Sequence, residues 1–243
     1  STALAGHILR TAGIAVQVGG NIGTPPTAMV ASSRDDQWNV LEASSFQLET
    51  IERFQAHIGV CLNLTPDHLD RHYTMQRYED AKGRLFDTQD ESCFAVLNAA
   101  DAACLRYARR GAGRPLWFSV SGPVTSGLWL DGERILYDGD LLLTRQDIPL
   151  RGLHNVENVL AAAGAAHLAG ASPEAIREAV RTFPGVEHRL EFLGRRRGVD
   201  YFNDSKATNV DATLKALDAF PGGLWVILGG KDKGSDYTPL AAP

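Results

Sequence analysis

Hydrophobic and polar positions along the first part of the chain predict strands and helices in alternation. Apolar runs at residues 14–18, 39–41 and 58–63 predict three short strands, each followed by a polar loop. A helix is predicted from the first residues to Gly13. Thr65-Pro66-Asp67 combines a capping residue with a first-turn proline, which predicts another helix start. This alternation indicates an α/β fold with a mostly parallel sheet covered on both faces.

The pattern changes between residues 117 and 144. Short apolar segments there are separated by Asp131-Gly132 and Asp138-Gly139, and Asp-Gly is typical of tight hairpin turns. We therefore predict an antiparallel β insertion. An alanine-rich helix is predicted over residues 155–168, and Ser172-Pro173-Glu174 predicts the start of the next one.

A second α/β domain is predicted to begin after Pro184-Gly185. Hairpin strands near Glu191 and Tyr201 are followed by a helix over residues 211–219 and an apolar strand over residues 224–228. We assign residues 1–184 to one domain and residues 185–243 to part of another.

Composition excludes several classes of protein. The net charge of −5 argues against nucleic acid as a partner, and the tight basic run Arg195-Arg196-Arg197 is predicted to be a solvated hairpin turn. Three cysteines without C-x-x-C spacing predict reduced thiols packed as small apolar side chains. No apolar run approaches the roughly 18 residues that cross a bilayer, and no signal segment opens the chain. We expect a cytoplasmic protein.

Glu42 and the pair Ser1-Thr2 are candidates for nucleotide chemistry. A P-loop ends in a hydroxyl residue that binds Mg²⁺, and a neighbouring strand supplies an acidic residue for the same metal. Ser1 and Thr2 open a helix and Glu42 ends a predicted strand. Taken alone, however, any helix can begin this way, and solvation of a strand end explains Glu42 better.

His68 and Lys82 are weaker candidates by themselves. His68 follows a predicted strand, where ligands collect in open α/β sheets, and Asp67, Asp70 and His72 lie in the same turn. Carboxylates beside an imidazole suit a divalent cation bridging phosphates, although a lone histidine there is usually incidental. Lys82 reads as a surface lysine on a helix, and periodicity gives it no role.

Five segments in this order and spacing resemble the Mur ligase family. They are GGNIG (19–23), LEASSFQL (41–48), NLTPDHLD (63–70), YEDAK (78–82) and GLHNVEN (152–158). The resemblance implies three domains: one for a UDP-sugar substrate, a central P-loop ATPase, and a C-terminal Rossmann-like domain for the incoming amino acid. It implies that this chain covers the central domain and the first half of the C-terminal one.

The resemblance also implies site residues. Ser1 and Glu42 would bind the Mg²⁺ on the ATP phosphates, His68 would bind a second Mg²⁺, and Lys82 matches the lysine that the family carbamylates. The remaining matches are Thr2 beside the ATP phosphates, Asn21 at the substrate pyrophosphate, Asn158 at the adenine, Asp204 at the ribose, Arg189 at the phosphates, and Thr208 and Lys233 at the carboxylates of the amino acid.

Two further segments resemble the D-glutamate-adding branch of the family. They are FNDSKATN (202–209) and GGKDKG (229–234). The implied reaction joins D-glutamate to UDP-N-acetylmuramoyl-L-alanine at the expense of ATP, with Mg²⁺, in a monomer. Because the glycine-rich loop and lysine of the family would precede Ser1, we expect this polypeptide by itself to be inactive. Another Mur-type or folylpolyglutamate-type ligase, or a non-catalytic nucleotide-binding module, remains an alternative.

Overall fold

The chain divides into two structural units. The computed structural model describes residues 1–230 and 236–241. The first unit contains Ser1–Pro149 and Val156–Phe183, and the second contains Leu150–Asn155 and Pro184–Pro243.

The first unit alternates helices and strands before it becomes mainly β. In chain order it contains α1 (Thr2–Thr11), β1 (Val16–Gly20), α2 (Pro26–Met29), a 3-10 turn (Val30–Ser32), β2 (Trp38–Glu42), α3 (Ser45–Leu48), β3 (Ile58–Cys61), α4 (Leu69–His72), α5 (Met75–Asp87), β4 (Phe94–Asn98), α6 (Ala102–Tyr107), β5 (Arg114–Ser119), β6 (Gly127–Asp131), β7 (Arg134–Tyr137), β8 (Asp140–Thr144), a 3-10 turn (Arg145–Asp147), most of α7 (Leu153–Leu168) and α8 (Pro173–Thr182).

Its strands form a two-stranded and a six-stranded sheet. β1 and β2 are parallel, and Gly20 is the register partner of Glu42. The larger sheet has the order β3-β4-β5-β6-β7-β8, in which β3 to β6 are parallel and the last two pairings are antiparallel. The predicted α/β class, with a mostly parallel sheet and an antiparallel β insertion, is confirmed.

Apolar side chains from α5, β4 and α6 form one of the core clusters. Its buried members are Phe86, Ala95, Leu97, Ala103, Cys104 and Tyr107. Cys93 and Cys104 are buried, Cys61 is half-buried, and all three thiols are free. The prediction of reduced cysteines is therefore confirmed, although Cys61 is not fully enclosed.

The helix start predicted at Ser172-Pro173-Glu174 is confirmed. α8 begins at Pro173, and the side chain of its N-cap Ser172 accepts a hydrogen bond from the backbone N–H of Ala175. The proline has no N–H to leave unpaired at the first helical position, so both residues favour a helix start.

The helix start predicted at Thr65-Pro66-Asp67 is wrong. α4 begins at Leu69, and the preceding His68 has a left-handed backbone with φ of 55°. The Asp67 carboxylate accepts the His68 backbone N–H at 2.9 Å. This hydrogen bond replaces the one that a helical turn would provide, so residues 65–68 form a loop.

The second unit contains a hairpin and a helix within its described part. β9 (Glu191–Arg196) pairs antiparallel with β10 (Val199–Asn203), and α9 (Val210–Leu217) follows. The hairpin and the helix were predicted, but the arginine turn was only partly right, because Arg195 and Arg196 belong to β9 and only Arg197 lies in the turn.

No strand forms over residues 224–228, contrary to the prediction. The side chains of Trp225 and Ile227 are 100% and 99% exposed. An apolar run becomes a strand only when a neighbouring strand pairs with it, and the described part of the chain provides no such neighbour. Within residues 1–230 and 236–241, no helix has the length and apolar character needed to span a bilayer.

Candidate active site

The carboxyl ends of β1 and β2 bring Asn21 and Glu42 together. The Asn21 backbone N–H donates to the Glu42 carbonyl oxygen at 2.7 Å, and its side-chain amide donates to Glu42 Oε1 at 3.1 Å. Parallel pairing places both strand ends at one edge. The amide therefore orients the carboxylate that the sequence singled out for metal binding.

Ser1 and Asn158 also meet, through the start of α1 and the first turns of α7. Ser1 Oγ donates to Asn158 Oδ1 at 2.7 Å, and Thr2 is the first residue of α1. A hydroxyl that donates its proton in one direction still presents oxygen lone pairs in another. This geometry is compatible with a cation at Ser1.

His68 occupies the loop that follows β3. Its ring lies edge-on to Phe46, with centroids 4.9 Å apart, and Asp67 Oδ2 is 3.8 Å from its Nε2. About a third of its side chain is exposed, 37%. The imidazole is thus fixed on one side and accessible on another.

Tyr78 contacts both His68 and Lys82. Its ring centroid is 6.3 Å from that of His68, and Lys82 Nζ is 5.3 Å from it. Burial, together with the Asp67 carboxylate, raises the pKa of Tyr78 to about 12, so the phenol is neutral at pH 7. Sequence reasoning missed Tyr78, although its place one helical turn before Lys82 was a usable signal.

Hydrogen bonds on both sides of Lys82 fix α5. The Arg84 guanidinium donates to the carbonyl oxygens of Leu48 at 2.9 Å and Ile51 at 2.5 Å. The Tyr107 hydroxyl donates to the Glu79 carbonyl oxygen at 2.9 Å, and Arg106 pairs with the Glu79 carboxylate. The backbone that carries Lys82 is therefore held against α3 and α6.

Asp67, Asp70 and His72 do not form the cation-binding cluster that their spacing suggested. Within the described ranges, no group of three or more His, Cys, Asp or Glu side chains is arranged for a metal ion. Asp70 is exposed and His72 is buried. The α4 turn directs the second histidine into the protein, so this interpretation was wrong.

Two of the remaining donors, Ser1 and Glu42, are of the oxygen type that Mg²⁺ prefers. The cation usually keeps several waters and binds one or two carboxylates together with substrate phosphates, rather than a complete protein cage. Ser1 and Glu42 offer such oxygen atoms at the ends of α1 and β2, and His68 offers an imidazole.

In the second unit, Arg189 and Asp204 lie in adjoining turns. Asp204 Oδ1 accepts the Leu190 backbone N–H at 3.0 Å, and the His188 carbonyl oxygen accepts the Lys206 N–H at 3.1 Å. Thr208 is exposed in the loop before α9. Lys233 lies outside the described residues.

A family model settles which group of proteins has these features. The model of the Mur ligase middle domain matches residues 1–166. The chain belongs to the Mur ligase family. The middle-domain match covers Ser1, Asn21, Glu42, His68, Lys82 and Asn158.

Curated Mur ligases match along the full chain. The UDP-N-acetylmuramoylalanine–D-glutamate ligase of Solibacter usitatus is 62% identical over 243 residues, 100% of this chain and 55% of the relative. The ligase of the same name from Acidobacterium capsulatum is 54% identical, over 99% of this chain and 53% of the relative. The chain therefore spans about half the length of these Mur ligases.

A solved Mur ligase structure shares the fold. The UDP-N-acetylmuramoylalanyl-D-glutamyl-2,6-diaminopimelate–D-alanyl-D-alanyl ligase from Acinetobacter baumannii has a TM-score of 0.69 and 16% identity, covering 90% of this chain and 50% of that one. Identity this low supports the fold and nothing finer.

Proposed function

We propose that the gene product containing this chain is an ATP-dependent ligase that joins D-glutamate to UDP-N-acetylmuramoyl-L-alanine in peptidoglycan synthesis. The observation that carries the proposal is the 62% identity, over all 243 residues, to a relative named for that reaction. Because that relative is about twice as long, the proposal concerns the full-length gene product.

The first unit supplies groups for ATP and metal. Ser1, Thr2 and Asn158 would contact ATP, and Asn21 would contact the substrate pyrophosphate. The Lys82 ammonium would lose a proton, and the neutral amine would then attack CO₂ and release a second proton as the N–C bond forms, which leaves an anionic carbamate. This change converts a cation into a metal ligand at a site where the Tyr78 ring contacts both Lys82 and His68.

Ser1 and Glu42 would bind one Mg²⁺, and His68 with the Lys82 carbamate a second. When bound, Mg²⁺ neutralises charge on the transferring phosphoryl group. Asn21 orients Glu42 for this task through its 3.1 Å hydrogen bond.

The second unit would bind the remaining parts of ATP and the amino-acid substrate. Arg189 would contact the phosphates and Asp204 the ribose, while Thr208 and Lys233 would bind the carboxylates of D-glutamate. A hydroxyl and an ammonium suit carboxylates because they donate hydrogen bonds, one of them charge-assisted.

The proposed reaction has two steps. The substrate carboxylate attacks the γ-phosphorus of ATP, ADP leaves, and an acyl phosphate forms. The D-glutamate amine then attacks the acyl carbon, and phosphate leaves as the amide forms. The protein contributes alignment and charge neutralisation and needs no covalent nucleophile. A cytoplasmic monomer is part of this proposal.

Phosphate release from ATP by the full-length gene product tests the proposal. The assay contains UDP-N-acetylmuramoyl-L-alanine and, in parallel, D-glutamate, L-glutamate, L-lysine or diaminopimelate. We expect release that depends on D-glutamate. Release with another amino acid would indicate a sister ligase, and release with none would favour a nucleotide-binding module.

Lys82→Ala should lower turnover at least about a hundredfold, because the carbamate and its charge are lost at the phosphoryl group. Lys215→Ala is the matched control. Lys215 forms an i,i+4 ion pair with Asp211 on α9 at 2.9 Å and has no proposed role. The measurement is D-glutamate-dependent phosphate release, and equal turnover by the two variants would exclude a role for the carbamate.

A further inference from the structure

His72 is a buried histidine bound on both ring nitrogens. Its Nε2 is 2.9 Å from Ser45 Oγ and its Nδ1 is 3.2 Å from Glu49 Oε1. Its side chain is 1% exposed, and Arg71 binds the other Glu49 oxygen at 2.7 Å. A carboxylate only accepts, so a proton on Nδ1 would face Glu49 and would leave Nε2 of the neutral ring to accept from the Ser45 hydroxyl.

The order serine, histidine and carboxylate is that of a hydrolytic triad, but burial excludes this chemistry here. Ser45 is 2% exposed, so no substrate reaches its hydroxyl. The arrangement therefore has a structural role, because it joins α3 to α4.

These two helices lie next to residues proposed for catalysis. Ser45 begins α3, three residues after Glu42 ends β2. The His72 backbone N–H donates to the His68 carbonyl oxygen at 2.9 Å. One side-chain hydrogen bond thus connects the segment after the carboxylate to the turn that carries the imidazole.

Aromatic packing reinforces the same connection. The His72 ring stacks on Phe46, with centroids 5.6 Å apart and planes at 10°, and lies 5.2 Å from Tyr78. Phe46 contacts the His68 ring, and Tyr78 contacts both His68 and Lys82. Displacement of His72 would therefore shift His68 and Lys82, the proposed ligands of the second cation.

We propose that His72, through its hydrogen bond to Ser45, is a positioning residue that holds the His68 turn in place relative to Glu42 and so sets the affinity for the divalent cations that these residues would bind. This inference rests on the proposed function for the reaction, but its central prediction concerns cation binding, which is measured without turnover.

Two single variants break the same hydrogen bond from opposite ends. Ser45→Ala removes the hydroxyl, and His72→Asn keeps a donor near the Nδ1 position while losing the group that reaches Ser45. His72→Gln instead places an amide near the Nε2 position and can keep the Ser45 partner. Ser172→Ala, an N-cap change in α8, is the control for a general loss of stability.

The measurement is Mn²⁺ binding by electron paramagnetic resonance, in the presence of ADP, on the full-length protein. We expect Ser45→Ala and His72→Asn to weaken Mn²⁺ binding about tenfold or more, as loss of partners around metal ligands does, and His72→Gln to weaken it less. The double variant Ser45→Ala/His72→Asn should bind no more weakly than His72→Asn alone, since the Ser45–His72 bond is already lost in that variant.

Circular dichroism first establishes that each variant is folded. Ser45→Ala deletes a single oxygen atom, so it remains usable if the His72 variants do not fold. Affinity equal to wild type in Ser45→Ala, or a loss as large in Ser172→Ala, would overturn the proposal.

Kinetics separate the inference from the proposed function. The His72→Asn enzyme should need more Mg²⁺ for half-maximal rate, with the KM for D-glutamate unchanged. A wild-type protein that binds Mn²⁺ with ADP but ignores D-glutamate would refute the proposed function, and the binding comparison would still decide the role of His72. Wild-type protein that binds no Mn²⁺ would refute both.

Discussion

Gly127 begins β6 with a backbone that other residues adopt only at high cost. Its φ is 130°, and a Cβ built on it would lie 1.9 Å from the carbonyl oxygen of Trp117 in β5. The two residues are register partners where the parallel β5–β6 pairing starts. The missing side chain therefore allows these strands to pair.

Gly127→Ala should lower the free energy of unfolding of the first unit by about 3 kcal/mol or more, since backbone strain and a clash with backbone atoms add. Gly132→Ala is the matched control. Its φ is 57° and nothing lies within 4 Å of its built Cβ, so only the left-handed backbone costs about 1–2 kcal/mol.

Urea unfolding followed by tryptophan fluorescence measures both changes. A Trp225→Phe background restricts the signal to the first unit, because the other tryptophans are Trp38, Trp117 and Trp129. Equal destabilisation by the two alanine variants would contradict the close approach of β5 and β6.

Asp147 joins the 3-10 turn after β8 to helix α8. Its Oδ2 accepts the Thr144 backbone N–H at 2.7 Å, and its Oδ1 accepts from Arg181 Nε at 2.8 Å. The Thr144 N–H first, and then Arg181, hold the pKa of the Asp147 carboxyl below its usual range. A lowered pKa in the folded state means that the charged carboxylate stabilises the fold.

Asp147→Asn should destabilise the first unit by about 1–2 kcal/mol at pH 7, where the carboxylate is charged. The stabilisation is complete above the unfolded-state pKa of about 3.9 and is lost as the pH falls through the lower folded-state pKa. Wild type and variant should therefore converge in acid, as measured by urea unfolding from pH 7 to pH 2.

Asp36→Asn is the matched control for a surface ion pair. Asp36 binds Arg34 at 2.7 Å, but both side chains are mostly exposed, so its loss should matter less. A difference between wild type and Asp147→Asn that stays constant with pH would refute the charge argument.

Helices and hairpins with local signals could be predicted from the sequence. Ser172-Pro173 placed the start of α8, and Asp131-Gly132 and Asp138-Gly139 placed the turns of the antiparallel strands, because these residues act on backbone within a few positions of themselves. Thr65-Pro66 failed since Asp67 offered the His68 N–H a competing partner. The strand predicted at residues 224–228 does not form, because strand pairing depends on residues that are distant in the sequence.

In the candidate site, too, some features could be predicted from the sequence and others could not. Motif spacing singled out Asn21 and Glu42, which the structure brings into contact, but their proposed roles remain predictions. It assigned His72 to a cation-binding cluster, whereas the ring is buried between α3 and α4. Contacts between distant segments decide which of two neighbouring histidines faces outward, and the spacing of residues in the sequence does not record such contacts.

The two units differ in how well their apolar side chains are covered. In the first unit, side chains such as Val96, Phe118 and Leu160 have no exposed surface. In the second, the hairpin residues Phe192 and Tyr201 are more than half exposed. The second unit should therefore open at lower free energy than the first.

Chymotrypsin should cut this chain first after Trp225. The residue is fully exposed and belongs to no helix or strand, so a protease can bind the backbone in extended form. Mass spectrometry of early digests should show a fragment ending at Trp225, and Trp225→Ser should delay its appearance. An earliest cut within the first unit would contradict this order.

The uncovered apolar run at residues 224–228 also governs how samples of the 243-residue chain behave as they are concentrated. Exposed tryptophan and isoleucine side chains outside any helix or strand form an apolar surface on which copies of the chain can associate. Sedimentation or light scattering on this polypeptide would register that self-association as apparent mass. The apparent mass of this polypeptide would then report the uncovered apolar run and not the quaternary state of the gene product that contains it.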